Sequence, residues 1–238
     1  MGIREREDEL FGRWIKERKM RTPFIKDGSH SPEAYEASKH KVVFLLKEPN
    51  WGFTRDEQIQ YASEQMEVHD QRDDYDTWWK SIAKWCATIT YPEWTWQKIE
   101  EEVQRGNAND FIAPYPMIQL KKTPGGGAAN HNDLYDIARE DSDFLREQLS
   151  IYQPRFVIAC GTWNILKDVV FDGIFDTDTT SNGIKYFFTD RKLGHENNMC
   201  IINFCHPSMR CNSAVRGTVS FGLRNAIESI EQRNANEF

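Results

Sequence analysis

Residues 41–52 read KVVFLLKEPNWG. Val42, Val43, Phe44, Leu45 and Leu46 form an unbroken apolar run, too short for a typical helix and rich in β-formers, which predicts a strand buried on both faces. Polar chemistry begins where the run stops. Lys47, Glu48, Pro49 and Asn50 supply a cation, a carboxylate, a rigid turn residue and an amide at the carboxyl end of that strand. In open α/β sheets, that end is where ligands bind.

Three later segments repeat the design. Residues 117–120 lead into Lys121, Lys122, Thr123, Pro124 and the glycines Gly125, Gly126 and Gly127; 156–160 lead into Gly161, Thr162 and Trp163; 199–205 lead into His206, Pro207 and Ser208. Parallel strands would bring these polar ends to one edge. The fold expected is therefore α/β, three-layer α/β/α, with a central, mainly parallel four-stranded sheet.

Helical patterns fill the intervals. Over 5–19, Leu10, Phe11, Trp14 and Ile15 share one stripe, predicting a helix in an N-terminal extension (1–40) ahead of a core over 41–233, all within a single domain. Trp78, Trp79, Ile82 and Trp85 recur at helical spacing, a stripe that predicts core packing. Further helices are expected over 96–104, over 141–151 with a cap near Asp141, from a Thr162 cap to 169 or 170, and from a Ser213 cap to about 231. An edge strand is expected over 184–189. The polar stretch 54–77 reads as a solvated insertion.

Composition narrows the function classes. The 238 residues are 39% hydrophobic with eight tryptophans, a globular rather than disordered make-up. The longest apolar runs are strand-length, which argues against a membrane span, and the charged start MGIREREDELF does not resemble a signal peptide, so a cytoplasmic protein is expected. Cys86, Cys160, Cys200, Cys205 and Cys211 are odd in number and suggest no disulfide framework. Cys200 and Cys205 would face opposite sides of one strand, and no C-x-x-C pair accompanies them, so structural thiols are expected and no metal or other cofactor. A net charge of −7 does not advertise a nucleic-acid partner. Yet Lys47, Lys121, Lys122 and Arg210 all fall at the proposed strand ends, where a local basic edge would form.

Taken in order, LLKEPN, IQLKKTPGGG, FVIACGTWN and NFCHPSMR resemble the strand-end motifs of the uracil-DNA glycosylase superfamily, whose first motif is G-x-(D/N/A)-P-x and whose last is H-P-S. The resemblance spans about residues 41 to 211 and implies a uracil-DNA glycosylase-like fold. It also implies hydrolysis of the N-glycosidic bond of uracil or another deaminated base in DNA, as in base excision repair, with the base flipped out of the stack. Glu48 would be the catalytic carboxylate that orients water, and His206 the donor to the departing base.

Gln119 falls where relatives place an asparagine that reads the base edge, and this departure lengthens the reader by a methylene. Trp51 or Phe53 would stack on the base; the alternative is that either fills the core. Asn50 stands where strict uracil enzymes carry a tyrosine that excludes thymine. For DNA, the resemblance assigns Lys121, Lys122, Gly125, Gly126, Ser208 and Arg210 to the backbone and Met209 to the gap left by the flipped nucleotide. The iron–sulfur branch carries a close cysteine pair ahead of the first motif, whereas no cysteine precedes Cys86 here, so no cluster is expected. A monomer acting on DNA is the expected form. Two other classes stay open: a catalytically inactive glycosylase fold that binds nucleic acid or a partner, and a small nucleoside or nucleotide N-glycosidase.

Overall fold

The computed structural model describes residues 1–19, 24–49, 78–124, 130–173, 175–189, 198–209 and 213–236. Among these, the helices are α1 (Ile3–Glu17), α2 (Pro32–Ala37), α3 (Trp78–Thr90), α4 (Trp96–Glu102), α5 (Ala108–Ile112), α6 (His131–Glu140), α7 (Ser142–Tyr152), α8 (Trp163–Ile165) and α9 (Ser213–Asn236). The strands are β1 (Val42–Leu46), β2 (Met117–Gln119), β3 (Phe156–Cys160), β4 (Asp178–Thr179), β5 (Lys185–Phe188) and β6 (Cys200–Phe204). They form one six-stranded sheet in the order β2-β1-β3-β6-β5-β4.

The four expected strands do pair in parallel, β2 with β1, β1 with β3 and β3 with β6. The sheet has six strands rather than four: the strand expected over 184–189 is β5, antiparallel to β6, and it is not the edge, because β4 lies outside it, antiparallel to β5. The pair β4 and β5 forms a short return at the far edge. On the other edge, Gly28 bridges Met117 and the Ile25 N–H donates to the Lys122 carbonyl at 2.7 Å, so residues of the N-terminal extension cover β2.

Side chains alternate along each strand and feed two cores. Val42, Phe44 and Leu46 pack with Phe156, Ile158 and Ile202 against α3, α4, α5 and α9. Val43 and Leu45 pack with Val157, Ala159 and Ile201 against α1, α6 and α7. The expected tryptophan stripe lies in the first core through Trp79 and Trp85. The expected N-terminal helix is sewn into the second, where Trp14 stacks on Phe144 with ring centroids 5.0 Å apart.

Two expected caps act differently. Asp141 is buried and paired with Arg18 Nε at 2.9 Å, making no side-chain cap to α7. The Thr162 hydroxyl donates to the Leu45 carbonyl at 3.2 Å, which ties the end of β3 to β1. The last helix extends to Asn236, beyond the expected end near 231.

Candidate functional site

Chain order makes β1 the starting point of the sheet, with β2 added on one side and β3 on the other. The carboxyl ends of β1 and β3 therefore flank the reversal of strand order, which is where open α/β sheets leave a crevice for ligands. Hydrogen bonding continues past the strands and fixes what stands there. The Leu120 N–H donates to Leu46 O at 2.9 Å and the Lys121 N–H to Lys47 O at 3.1 Å. On the other side, the Gly161 N–H donates to Phe204 O at 3.0 Å. The ends of β2, β1, β3 and β6 are thus held in one row.

Glu48 stands in that row with its side chain only 5% exposed and its Oε2 2.8 Å from Lys121 Nζ. Pro49 behind it is buried. Lys121, expected at a DNA phosphate, is therefore the counter-ion of Glu48 and keeps 18% of its side chain exposed. Lys122 is corrected. At 1% exposure it lies under α1, with its Nζ 2.6 Å from Asp27 Oδ2, 2.8 Å from the Gln119 carbonyl and 5.2 Å from the centre of the Trp14 ring. No strand of DNA reaches it.

His206 follows β6 in a tight turn in which the Met209 N–H donates to the His206 carbonyl at 3.0 Å. The Ser208 backbone N–H donates to His206 Nδ1 at 3.2 Å, and the Ser208 hydroxyl lies 2.7 Å from the same atom. Nδ1 is thereby an acceptor, so the neutral ring carries its proton on Nε2. Burial, with the nearby Lys47 charge, holds the His206 pKa below the ordinary histidine value, which favours that neutral ring. Ser208, expected at a phosphate, is exposed and also orients the imidazole.

Gln119 is the register partner of Leu46, two residues from Glu48. It is 5% exposed, its backbone N–H donates to Asp27 Oδ2 at 2.6 Å, and its side-chain Oε1 is buried without a hydrogen-bond partner. A buried amide oxygen left unpaired is costly, and it is the kind of atom a ligand satisfies. Met209 is 41% exposed on the loop after His206, one of the few large apolar side chains so placed among the described residues. A cleft beside it is lined by Lys84, Trp85, Trp96, Pro207 and Arg216. Asn50, Trp51, Phe53, Gly125, Gly126, Arg210 and Cys211 lie outside the described residues.

The structure thus gathers Glu48, Lys121, Gln119 and His206 on one edge of the sheet. Glu48 and His206 do not touch. They belong to strands two apart, a separation of about 10 Å by strand spacing, room for a flat heterocycle and its sugar. Two neighbours that the sequence marks only by their place at strand ends, Lys47 and Gly161, meet here. A β-carbon placed on Gly161 would lie 3.5 Å from His206 Cβ and 3.2 Å from Lys47 Cε, so both side chains close over this glycine. The signal for Gly161 was present in its position at a strand end, where a φ of +70° suits glycine.

Among the described residues, no group of three or more His, Cys, Asp or Glu side chains is placed to hold a metal, and no helix is long and apolar enough to cross a membrane. Cys86, Cys160 and Cys200 are buried, and burial pushes all three thiols well above their usual pKa, as inert core residues. No family model matches the chain, and no curated protein does.

Proposed function

We propose that this protein is a uracil-DNA glycosylase-like hydrolase that removes uracil or another deaminated base from DNA. The observation that carries the reading is that a nearly buried carboxylate, Glu48, and a neutral histidine whose Nε2–H can donate stand at the same carboxyl edge of the sheet, after β1 at the strand-order reversal and after β6 one strand beyond it.

Hydrolysis of an N-glycosidic bond develops positive charge on the sugar and negative charge on the departing base. Glu48 supplies the anion near the sugar and accepts the proton of the attacking water; His206 Nε2–H stabilises the charge on the base oxygen. The unpaired Gln119 Oε1 is an acceptor for a ring N–H of the base edge. On this reading exposed Met209 acts as the wedge, and Arg216 in the adjoining cleft meets the strand.

One observation favours a second reading. The ion pair between Lys121 and Glu48 occupies the carboxylate, as a protein that only binds nucleic acid or a partner would tolerate. An abasic-site assay separates the two. Oligonucleotides containing uracil, hypoxanthine, xanthine or a G:T mismatch are incubated with the protein and then cleaved with alkali. The hydrolase reading expects scission for at least one base, lost in Glu48→Gln and His206→Ala. Intact strands throughout, with salt-sensitive binding retained, assign the protein to the binding class.

A further inference from the structure

Lys47 has no part in the reaction outlined above, yet it lies beside His206. Side chains diverge at the end of β1: Glu48 goes to Lys121, while Lys47 lies across Gly161. A β-carbon on Gly161 would meet Lys47 Cε at 3.2 Å, Lys47 Nζ at 3.7 Å and His206 Cβ at 3.5 Å. The ammonium end of Lys47 and the root of the His206 side chain therefore meet at the same point, over a residue whose positive φ and missing side chain admit them.

We propose that Lys47 is a catalytic cation of this site, whose ammonium shares with His206 Nε2–H the negative charge of the departing base, so that the site takes acidic heterocycles as leaving groups. The proposal rests on the N-glycoside hydrolysis proposed above. In that step the C1′–N bond breaks with its electron pair passing to the base, and a water oxygen bonds to C1′. One water proton passes to Glu48 and from there, through solvent, to the base nitrogen. Lys47 keeps its proton throughout and acts by charge alone.

The chemistry discriminates among bases. A deaminated base carries an acidic ring N–H system and leaves as a comparatively stable anion, whereas its amino-bearing parent does not. A cation at the leaving group favours bases whose charge it can meet, and a part-buried ammonium is worth more there than in water. At this distance the Lys47 charge adds to burial in holding the His206 pKa below its ordinary value.

The test compares single-turnover release of uracil and of the more acidic fluorouracil from otherwise identical oligonucleotides by the wild type, Lys47→Met and Lys47→Arg. Lys47→Met is expected to slow uracil release by about 10²–10³-fold and fluorouracil release markedly less, with part of the rate restored in Lys47→Arg. Equal slowing of both bases would mean a merely structural role, and unchanged rates no role; either overturns the proposal. A wild type that releases neither base strikes uracil from the proposed substrates, and a separate titration then decides on Lys47. Free fluorouracil is bound at about pH 6 and about pH 9, spanning its ionisation while lysine keeps its charge. Tighter binding of the anion by the wild type but not by Lys47→Met upholds the cation site, and anion binding that ignores the substitution overturns it.

Discussion

Lys121 and Lys122 are neighbours in sequence, and each forms an ion pair, but the pairs belong to different parts of the molecule. Lys121 reaches Glu48 at the carboxyl edge of the sheet, with 18% of its side chain exposed. Lys122 turns under α1 to Asp27, fully buried. Asp27 also accepts from Gln148 Nε2 at 2.8 Å and from the Gln119 N–H, so this second pair belongs to a polar knot that fastens the N-terminal extension to β2. The same residue type thus stands at the candidate site at one position and serves architecture at the next. What separates them is the first step off the end of a strand, where successive side chains leave on opposite sides.

The sharpest way to break this comparison is to remove each charge in turn. Lys122→Met leaves Asp27 buried without its cation and should cost about 3–5 kcal/mol in urea unfolding, a large part of the stability of a domain. Lys121→Met, whose ammonium is partly exposed though Glu48 is nearly buried, should cost less, about 1–3 kcal/mol. Equal losses would mean that the two pairs do the same work. Activity should show the reverse order of interest: Lys121→Met leaves Glu48 unanchored and should slow base release about 10-fold in a folded protein, measured under single turnover.

Acidity sharpens the site side of the comparison. The folded pKa of His206 lies below its unfolded value, so the unfolded chain binds more protons in the window between them. Stability should therefore fall as pH drops from about 6.5 toward the folded value, and base release should fall as pH passes through that folded value, because the ring loses the acceptor at Nδ1 that its turn requires. In His206→Asn the corresponding step in the pH–rate profile should vanish. A smaller effect still is expected at Arg139, whose pair with Asp136 is mostly exposed: Arg139→Ala should leave the melting temperature unchanged within error.

Much of the sheet was legible because apolar runs of strand length bounded by polar turns leave little choice. Val42 to Leu46 and Phe156 to Cys160 are instances, and their parallel pairing follows from the helices between them. Helix α6 was less visible, since among its ten residues only Leu134 and Ala138 are buried and the rest read as surface. Strand β4 has two exposed residues and almost no pattern to read. At the site, Glu48 and His206 were marked by strand ends and motif order. The partners of the lysines were not, because Asp27 stands about a hundred residues before Lys122 and nothing local ties the two. The role of Gly161 needed a φ angle and a neighbour's position, neither of which a sequence displays.

The most direct measurement is mass spectrometry of both products after incubating a uracil-containing oligonucleotide in water enriched in heavy oxygen. The account predicts free uracil and an abasic strand in equal amounts, with the heavy oxygen on the sugar, and neither product from Glu48→Gln. An oligonucleotide that binds and is recovered intact, or free base released equally by Glu48→Gln, would contradict it.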